Sequence, residues 1–278
     1  MVVGSAGELE PMRLREDIGV RAGAEIVPGD VPGGPSTSQT IMVSSLARLL
    51  ALLPPDAPTD AYRVAIREEN VLGKQTAGAR EWAFRQLRRF YALDPQSLLF
   101  RALRDLWPSD QAAQPLLALL CAMARDPVLR ASAPMVLALE LGAEVGPDDF
   151  EAVIEESFPS AYAPSTRRTT AQKLASSWNQ SGHLRAERAA KVRIRATCRA
   201  ADVAYALLLG HLQGVRGQAL FETLWTKVLD QPTSHLFDLA ATASQHAMLE
   251  LRQAGGVTEV SFRELLRPFE NYDQGKLL

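Results

Sequence analysis

Few residues of this chain are spaced for covalent or metal chemistry. Gly73-Lys74-Gln75 has the Gly-Lys pair of a phosphate-binding loop. That loop needs a glycine five residues before Gly73, where Glu68 stands, and Gln75 replaces the Ser or Thr that would hold magnesium. The four histidines, His183, His211, His235 and His246, never place two ligands on one helical turn. Cys121 lies in an apolar stretch and reads as core. Cys198 is flanked by Arg195 and Arg199, which would lower its pKa, but it has no assignable base. The acids Asp148, Asp149, Glu151, Glu155 and Glu156 read as a solvated helix start favoured by the macrodipole. The expectation is a non-enzymatic protein with no catalytic residue, no metal and no cofactor.

Charge placement is the signal that rises. Between Ser160 and Ala200 stand nine basic residues against one acid, Glu187, a local net charge of +8 in a chain of net −2. The preceding stretch, Glu140 to Glu156, carries seven acids and no Lys or Arg. Such asymmetry makes a positive face on a nearly neutral body, the footprint of a polyanion site. In a helix opened at Pro164, Ala171, Leu174, Ala175 and Trp178 fall on one buried stripe. Thr166, Thr169, Lys173, Ser176 and Gln180 then face outward, and Arg167 and Arg168 occupy the first turn, where recognition helices make many groove contacts. After Arg185 and Arg188 the alternation Lys191-Val192-Arg193-Ile194-Arg195 predicts a half-exposed strand, its three cations on the open face. These twelve residues are the expected contacts to duplex DNA.

The elements that must position them follow from the sequence punctuation. Fourteen of the first 60 residues are Gly or Pro, so residues 1–60 read as an extension, loose over 1–40, with a short helix from Ile41 to Leu53. Residues 61–142 predict an all-helical domain. Thr76 caps a helix through Tyr91, Asp94-Pro95 opens one to Trp107, and Pro115 and Asp126-Pro127 punctuate two more. Residues 143–200 predict a winged-helix-like module: a capping box at Asp148 and Glu151, a helix to Ser157, the helix from Pro164 to Gln180, then a hairpin. Residues 201–278 repeat that order, with helices over Val203 to Leu212, Leu220 to Leu229 and Thr233 to about Arg252, and a strand from Val257 to Phe262. The fold class is therefore mainly α: a helical bundle followed by two winged-helix-like modules with short β-hairpins.

The second module lacks the charge of the first. Its third helix offers Asp238 and Glu250 against Arg252, which suits packing or a homodimer contact better than phosphate. Two cysteines cannot build a disulfide framework, and no secretory leader is visible. The longest apolar run, nine residues from Leu116 to Ala124, is far below the ~20 that span a bilayer. A cytoplasmic protein with no membrane contact is expected.

Three stretches carry a family resemblance: Arg67-Glu68-Glu69-Asn70-Val71-Leu72-Gly73-Lys74, the helical pair from Arg80 to Trp107, and Ser176-Ser177-Trp178-Asn179-Gln180-Ser181-Gly182-His183-Leu184. Over residues 61–278 the chain resembles the BrxA family of bacterial BREX phage-exclusion systems, and the tryptophan-to-Gly-His-Leu segment is the most distinctive part. Residues 1–60 depart from the family's compact start. The resemblance implies a small, mostly helical, non-enzymatic protein with winged-helix-like parts that binds DNA in a multi-gene anti-phage system and meets other proteins of that system. The rival expectations are a protein–protein adaptor whose basic face takes an acidic partner, and an RNA-binding helical protein. Exposed aromatics for base stacking are scarce, with only Tyr162 near the basic block, so recognition of single strands is disfavoured.

Overall fold

Two helices of this chain are apolar on every side, and the rest of the molecule is arranged around them. A computed structural model describes residues 23–188 and 190–268. The helices of the first half are α1 (Val43–Leu52), α2 (Thr59–Arg67), α3 (Ala77–Tyr91), α4 (Leu98–Leu106), α5 (Gln114–Arg125), α6 (Pro127–Ala131) and α7 (Ala133–Ala138). Strand β1 (Glu144–Val145), helices α8 (Pro147–Ser157) and α9 (Pro164–Gln180), and strands β2 (Leu184–Glu187) and β3 (Ala190–Arg193) follow. Then come α10 (Ala200–Leu212), a 3-10 turn at Gly217–Glu222, α11 (Leu224–Lys227), α12 (Thr233–Gln245), and strands β4 (Glu250–Ala254) and β5 (Val257–Ser261). The chain is mainly helical, 55% helix, with two small antiparallel sheets. In α5 every residue from Leu116 to Ala124 is buried, and in α10 every residue from Ala201 to Gly210. Helices apolar all round belong in a core, and these two pack against each other at its centre.

The local start signals hold in part. Thr76 Oγ1 accepts from Ala79 N at 3.1 Å and opens α3, with Ala83, Phe84, Leu87, Phe90 and Tyr91 buried as expected. Asp126 caps α6 through Leu129 N. The helix expected from Asp94-Pro95 begins instead at Leu98, because Ser97 supplies the capping oxygen to Phe100 N and Asp94 folds into the preceding turn. The box expected at Asp148 and Glu151 lies two residues earlier: Asp149 Oδ2 accepts from Gly146 N at 2.8 Å, ahead of Pro147.

The extension is corrected more deeply. Residues 1–22 lie outside the described residues, but residues 23–42 are a strap bound to the body rather than a loose arm. Glu25 accepts from Leu98 N, Ser36 N donates to Asp126 Oδ2 at 2.6 Å, and Ile41 is fully buried. The close approach at Asp126 fixes the residue type at Gly34: a Cβ there would stand 2.4 Å from Asp126 Oδ1.

The first sheet has the order β1-β3-β2, with Val145 opposite Lys191 and Leu184 opposite Arg193. Its central strand stops at Arg193, two residues short of the strand expected to Arg195. In the last segment the helix expected over Leu220 to Leu229 is a 3-10 turn plus the single turn α11. The helix expected to reach Arg252 stops at Gln245, since residues 250–254 pair with 257–261 around Gly255-Gly256. Both glycines have positive φ, 56° and 80°, which a two-residue hairpin turn demands. Residues 269–278 lie outside the described residues. Among the described residues no helix is long and apolar enough to cross a membrane.

Candidate nucleic-acid interface

Helix α9 obeys the expected register. Ala171, Leu174, Ala175 and Trp178 are buried, and Trp178 is fully so, its Nε1 donating to Ser132 Oγ at 2.8 Å. Ser165, Thr166, Arg168, Thr169 and Gln172 are exposed, while Arg167, Lys173, Ser176 and Gln180 are half-buried. Gln172 was absent from the sequence-based set, although its place four residues after Arg168 and four before Ser176 puts it on the open stripe.

The basic block does not project its full charge. Arg167 pairs with Glu155 and lies 3.6 Å from Glu151. Arg168 pairs with Asp148 and bonds Glu151 at 2.7 Å. The acidic helix α8 packs along α9 and neutralises its first turn, with Arg167 and Glu151 half-buried and Arg168 and Asp148 exposed. Arg185 Nε donates to Glu187 two residues along the same strand, and Arg199 pairs with Asp110 at 3.1 Å. Exposed pairs of this kind contribute little to stability but do cancel field.

Arg193 is the clearest correction. Its side chain is 1% exposed, not on an open strand face. Nε donates to Val136 O at 3.0 Å, Nη1 to Ile194 O, and Nη2 stands 2.9 Å from Asp230 Oδ2, in ion-pair range without hydrogen-bond alignment. The reason lies outside the sheet: α7 and the turn after α11 cover the β3 face at Arg193. Gln180 is also committed, since its Oε1 accepts from Val43 N at 3.1 Å and anchors the first turn of α1. Thr169 spends its hydroxyl proton on Ser165 O. Of the nine basic residues, Lys173, Arg188, Lys191 and Arg195 have no acidic partner among the described residues. Arg188 and Arg195 are exposed, and Lys191 is half-buried.

The Gly182-His183-Leu184 segment is a structural node. Gly182 takes φ 85° to end α9, and His183 turns beneath it, edge-on to Trp178 with ring centroids 4.9 Å apart. His183 Nε2 donates to Val228 O at 2.8 Å, which leaves Nδ1 as the acceptor facing Ser181 Oγ at 2.9 Å. Burial lowers the His183 pKa to about 4, so the ring is neutral at pH 7. Cys198 is corrected in the same sense: burial pushes its thiol up, outweighing the neighbouring Arg199. Burial likewise pushes Cys121 up to about 11. Among the described residues no group of three His, Cys, Asp or Glu side chains converges as a metal site.

No protein-family model matches the chain, and no curated protein matches it.

Proposed function

We propose that this chain is a non-enzymatic double-stranded-DNA-binding protein that uses the open stripe of α9 and the β2–β3 hairpin, as an accessory component of a BREX-type phage-defence system. The observation that supports this reading best is topological. The order α7–β1–α8–α9–β2–β3, with sheet order β1-β3-β2, resembles that of a winged-helix module, in which α9 would be the recognition helix. The stripe of Ser165, Thr166, Thr169, Gln172, Lys173 and Ser176 contains no acid, and side chains of these types read phosphates and base edges. The hairpin tip adds Arg188 and Lys191, and Arg195 follows it. The defence-system role rests on the resemblance of the Trp178-to-Leu184 segment to the BrxA family. The same order recurs from α10 to β5, with the 3-10 turn packed on β5 in the place of the first strand.

A specific observation favours a second reading. The mutual pairing of α8 acids with α9 arginines makes a mixed-charge surface, which suits an acidic protein partner better than it suits DNA. Fluorescence anisotropy with a labelled duplex separates the two. Lys173→Glu with Lys191→Glu should weaken binding to all sequences about tenfold or more and lower the salt slope by about 1 for each lost phosphate contact. No duplex binding by the wild type at low salt would leave the adaptor reading.

A further inference from the structure

A wide concavity among the described residues lies far from the basic block in sequence. It is a cleft of about 870 Å³ between α2, α3 and the end of α5, and six arginines line it: Arg63, Arg67, Arg85, Arg88, Arg89 and Arg125. Only two carboxylates, Asp60 and Glu81, share the lining. Both are engaged: Asp60 holds Arg63 at 2.6 Å, and Glu81 holds Arg67. Arg67 in turn lies over the Phe84 ring, 5.7 Å from its centroid, and so is fixed as part of the wall. Arg85, Arg88, Arg89 and Arg125 have no acidic partner among the described residues. The first three fall at i, i+3 and i+4 on α3, and Arg125 Nε donates to Arg89 O at 3.0 Å, which brings the fourth guanidinium beside them.

We infer that this cleft binds a nucleoside polyphosphate, its phosphates on Arg85, Arg88, Arg89 and Arg125. Arg88 and Arg89 lie in the last turn of α3 and Arg125 in the last turn of α5, where cations suit the helix dipole, but Arg85 has no such partner. Four like charges around one hollow repel each other, and the two carboxylates of the lining are engaged by Arg63 and Arg67 instead. Guanidinium forks match phosphate oxygens in bidentate fashion, and the volume is that of a small-ligand site, about 300–1,000 Å³. Beyond Arg89 and Arg125 the cleft runs into a second groove of about 340 Å³. Apart from the shared Arg89 and Arg125 its lining carries no charge, with Val27, Val31, Pro32 and Pro35, and Val31 is 43% exposed. A cationic end and a largely apolar continuation fit a ligand with clustered phosphates and a planar, weakly polar remainder. A DNA duplex is convex and about 20 Å wide, so it meets flat or protruding surfaces better than this hollow. The Gly73-Lys74 turn contributes nothing to the lining.

The test uses the full chain and a fluorescent N-methylanthraniloyl ATP, with inorganic tripolyphosphate and AMP as competitors. The labelled nucleotide should bind at low salt and be displaced by tripolyphosphate, with AMP weaker by about tenfold or more for want of phosphates. Arg85→Gln with Arg88→Gln and Arg89→Gln, all exposed positions, should keep the melting temperature and weaken binding about tenfold or more. The control Arg188→Gln with Lys191→Gln and Arg195→Gln should change it less than about twofold. No nucleotide binding by the wild type, or equal losses in both triple variants, would overturn the inference. So would a cleft variant that loses duplex affinity and keeps nucleotide affinity, which would assign these arginines to DNA. Because the probe is a nucleotide, a chain that binds it and ignores duplex would refute the DNA reading and leave this one standing.

Discussion

The basic block of residues 160–200 and the arginine cleft of α2, α3 and α5 invert each other. In sequence the block is the conspicuous one, +8 over about forty residues, yet in space five of its nine cations face carboxylates and one of those five is inside the core. The cleft's arginines are scattered from residue 63 to 125 among acids of their own, and four of them converge without partners. Charge counted along a chain measures composition, whereas a ligand feels the charges left uncompensated at one place.

The comparison breaks most sharply inside the block. Trp178→Ala empties a fully buried indole site and removes the Ser132 hydrogen bond, so it should cost about 3–5 kcal/mol in denaturant unfolding. Arg193→Met should follow at about 3 kcal/mol, because it strands Asp230 and the Val136 carbonyl in a covered pocket. Arg85→Met, in the cleft, should change stability by no more than about 0.5 kcal/mol. Similar costs at Arg193 and Arg85 would mean that Arg193 is solvated after all.

The buried histidine sharpens the same contrast through pH. The unfolded chain protonates His183 near 6.5, while the folded chain resists to about 4. Unfolded protein therefore binds the extra proton between those values, and stability falls as pH drops from 6.5 to 4 and levels off below. The full window is worth up to about 3 kcal/mol. His211, also lowered to about 4, acts in the same direction from a less buried site. Urea unfolding at several pH values should show a shallower slope for His183→Gln than for wild type. An unchanged slope would move the effect to His211.

How much was legible follows from which forces act locally. The register of α9, its start at Pro164 and its end before Gly182 were readable, because periodicity, proline and glycine act within a few residues. The cap at Thr76 was readable for the same reason. Arg193 was not, since alternation gives the period of a strand but not which face a third element will cover. Nor was the strap at residues 23–42, whose Gly and Pro content describes backbone freedom and not the buried partner Asp126. The cleft was illegible too: α2, α3 and α5 each show ordinary arginines, and only their packing brings them together.

Removing the neutralising acids offers a gain-of-function contrast. Glu151→Gln with Glu155→Gln frees Arg167 and leaves Arg168 with Asp148 alone at the start of α9. Duplex affinity should rise about three- to tenfold at low salt, with a steeper salt dependence. Stability should move by about 1 kcal/mol or less, since these pairs remain partly solvated. An unchanged affinity would show that the first turn of α9 stays away from the duplex.

The smallest effect is expected in the second module. Helix α12 and the β4–β5 hairpin repeat the arrangement of α9 and β2–β3, yet Arg263 is tied to Glu250, and Glu259 stands opposite Arg252 across the ladder. Phosphate attraction scales with the cations that displace counterions, so matched architecture without surplus charge should give little affinity. Gln245→Ala with Arg252→Ala should change duplex binding by less than about twofold, against a loss of about fivefold or more for Arg188→Ala with Lys191→Ala. The measurement is anisotropy with one short duplex at two salt concentrations. Equal losses would mean that both hairpins grip the backbone. The exposed tip, where Val257 is 69% exposed, would then work by contact with a groove and not by field.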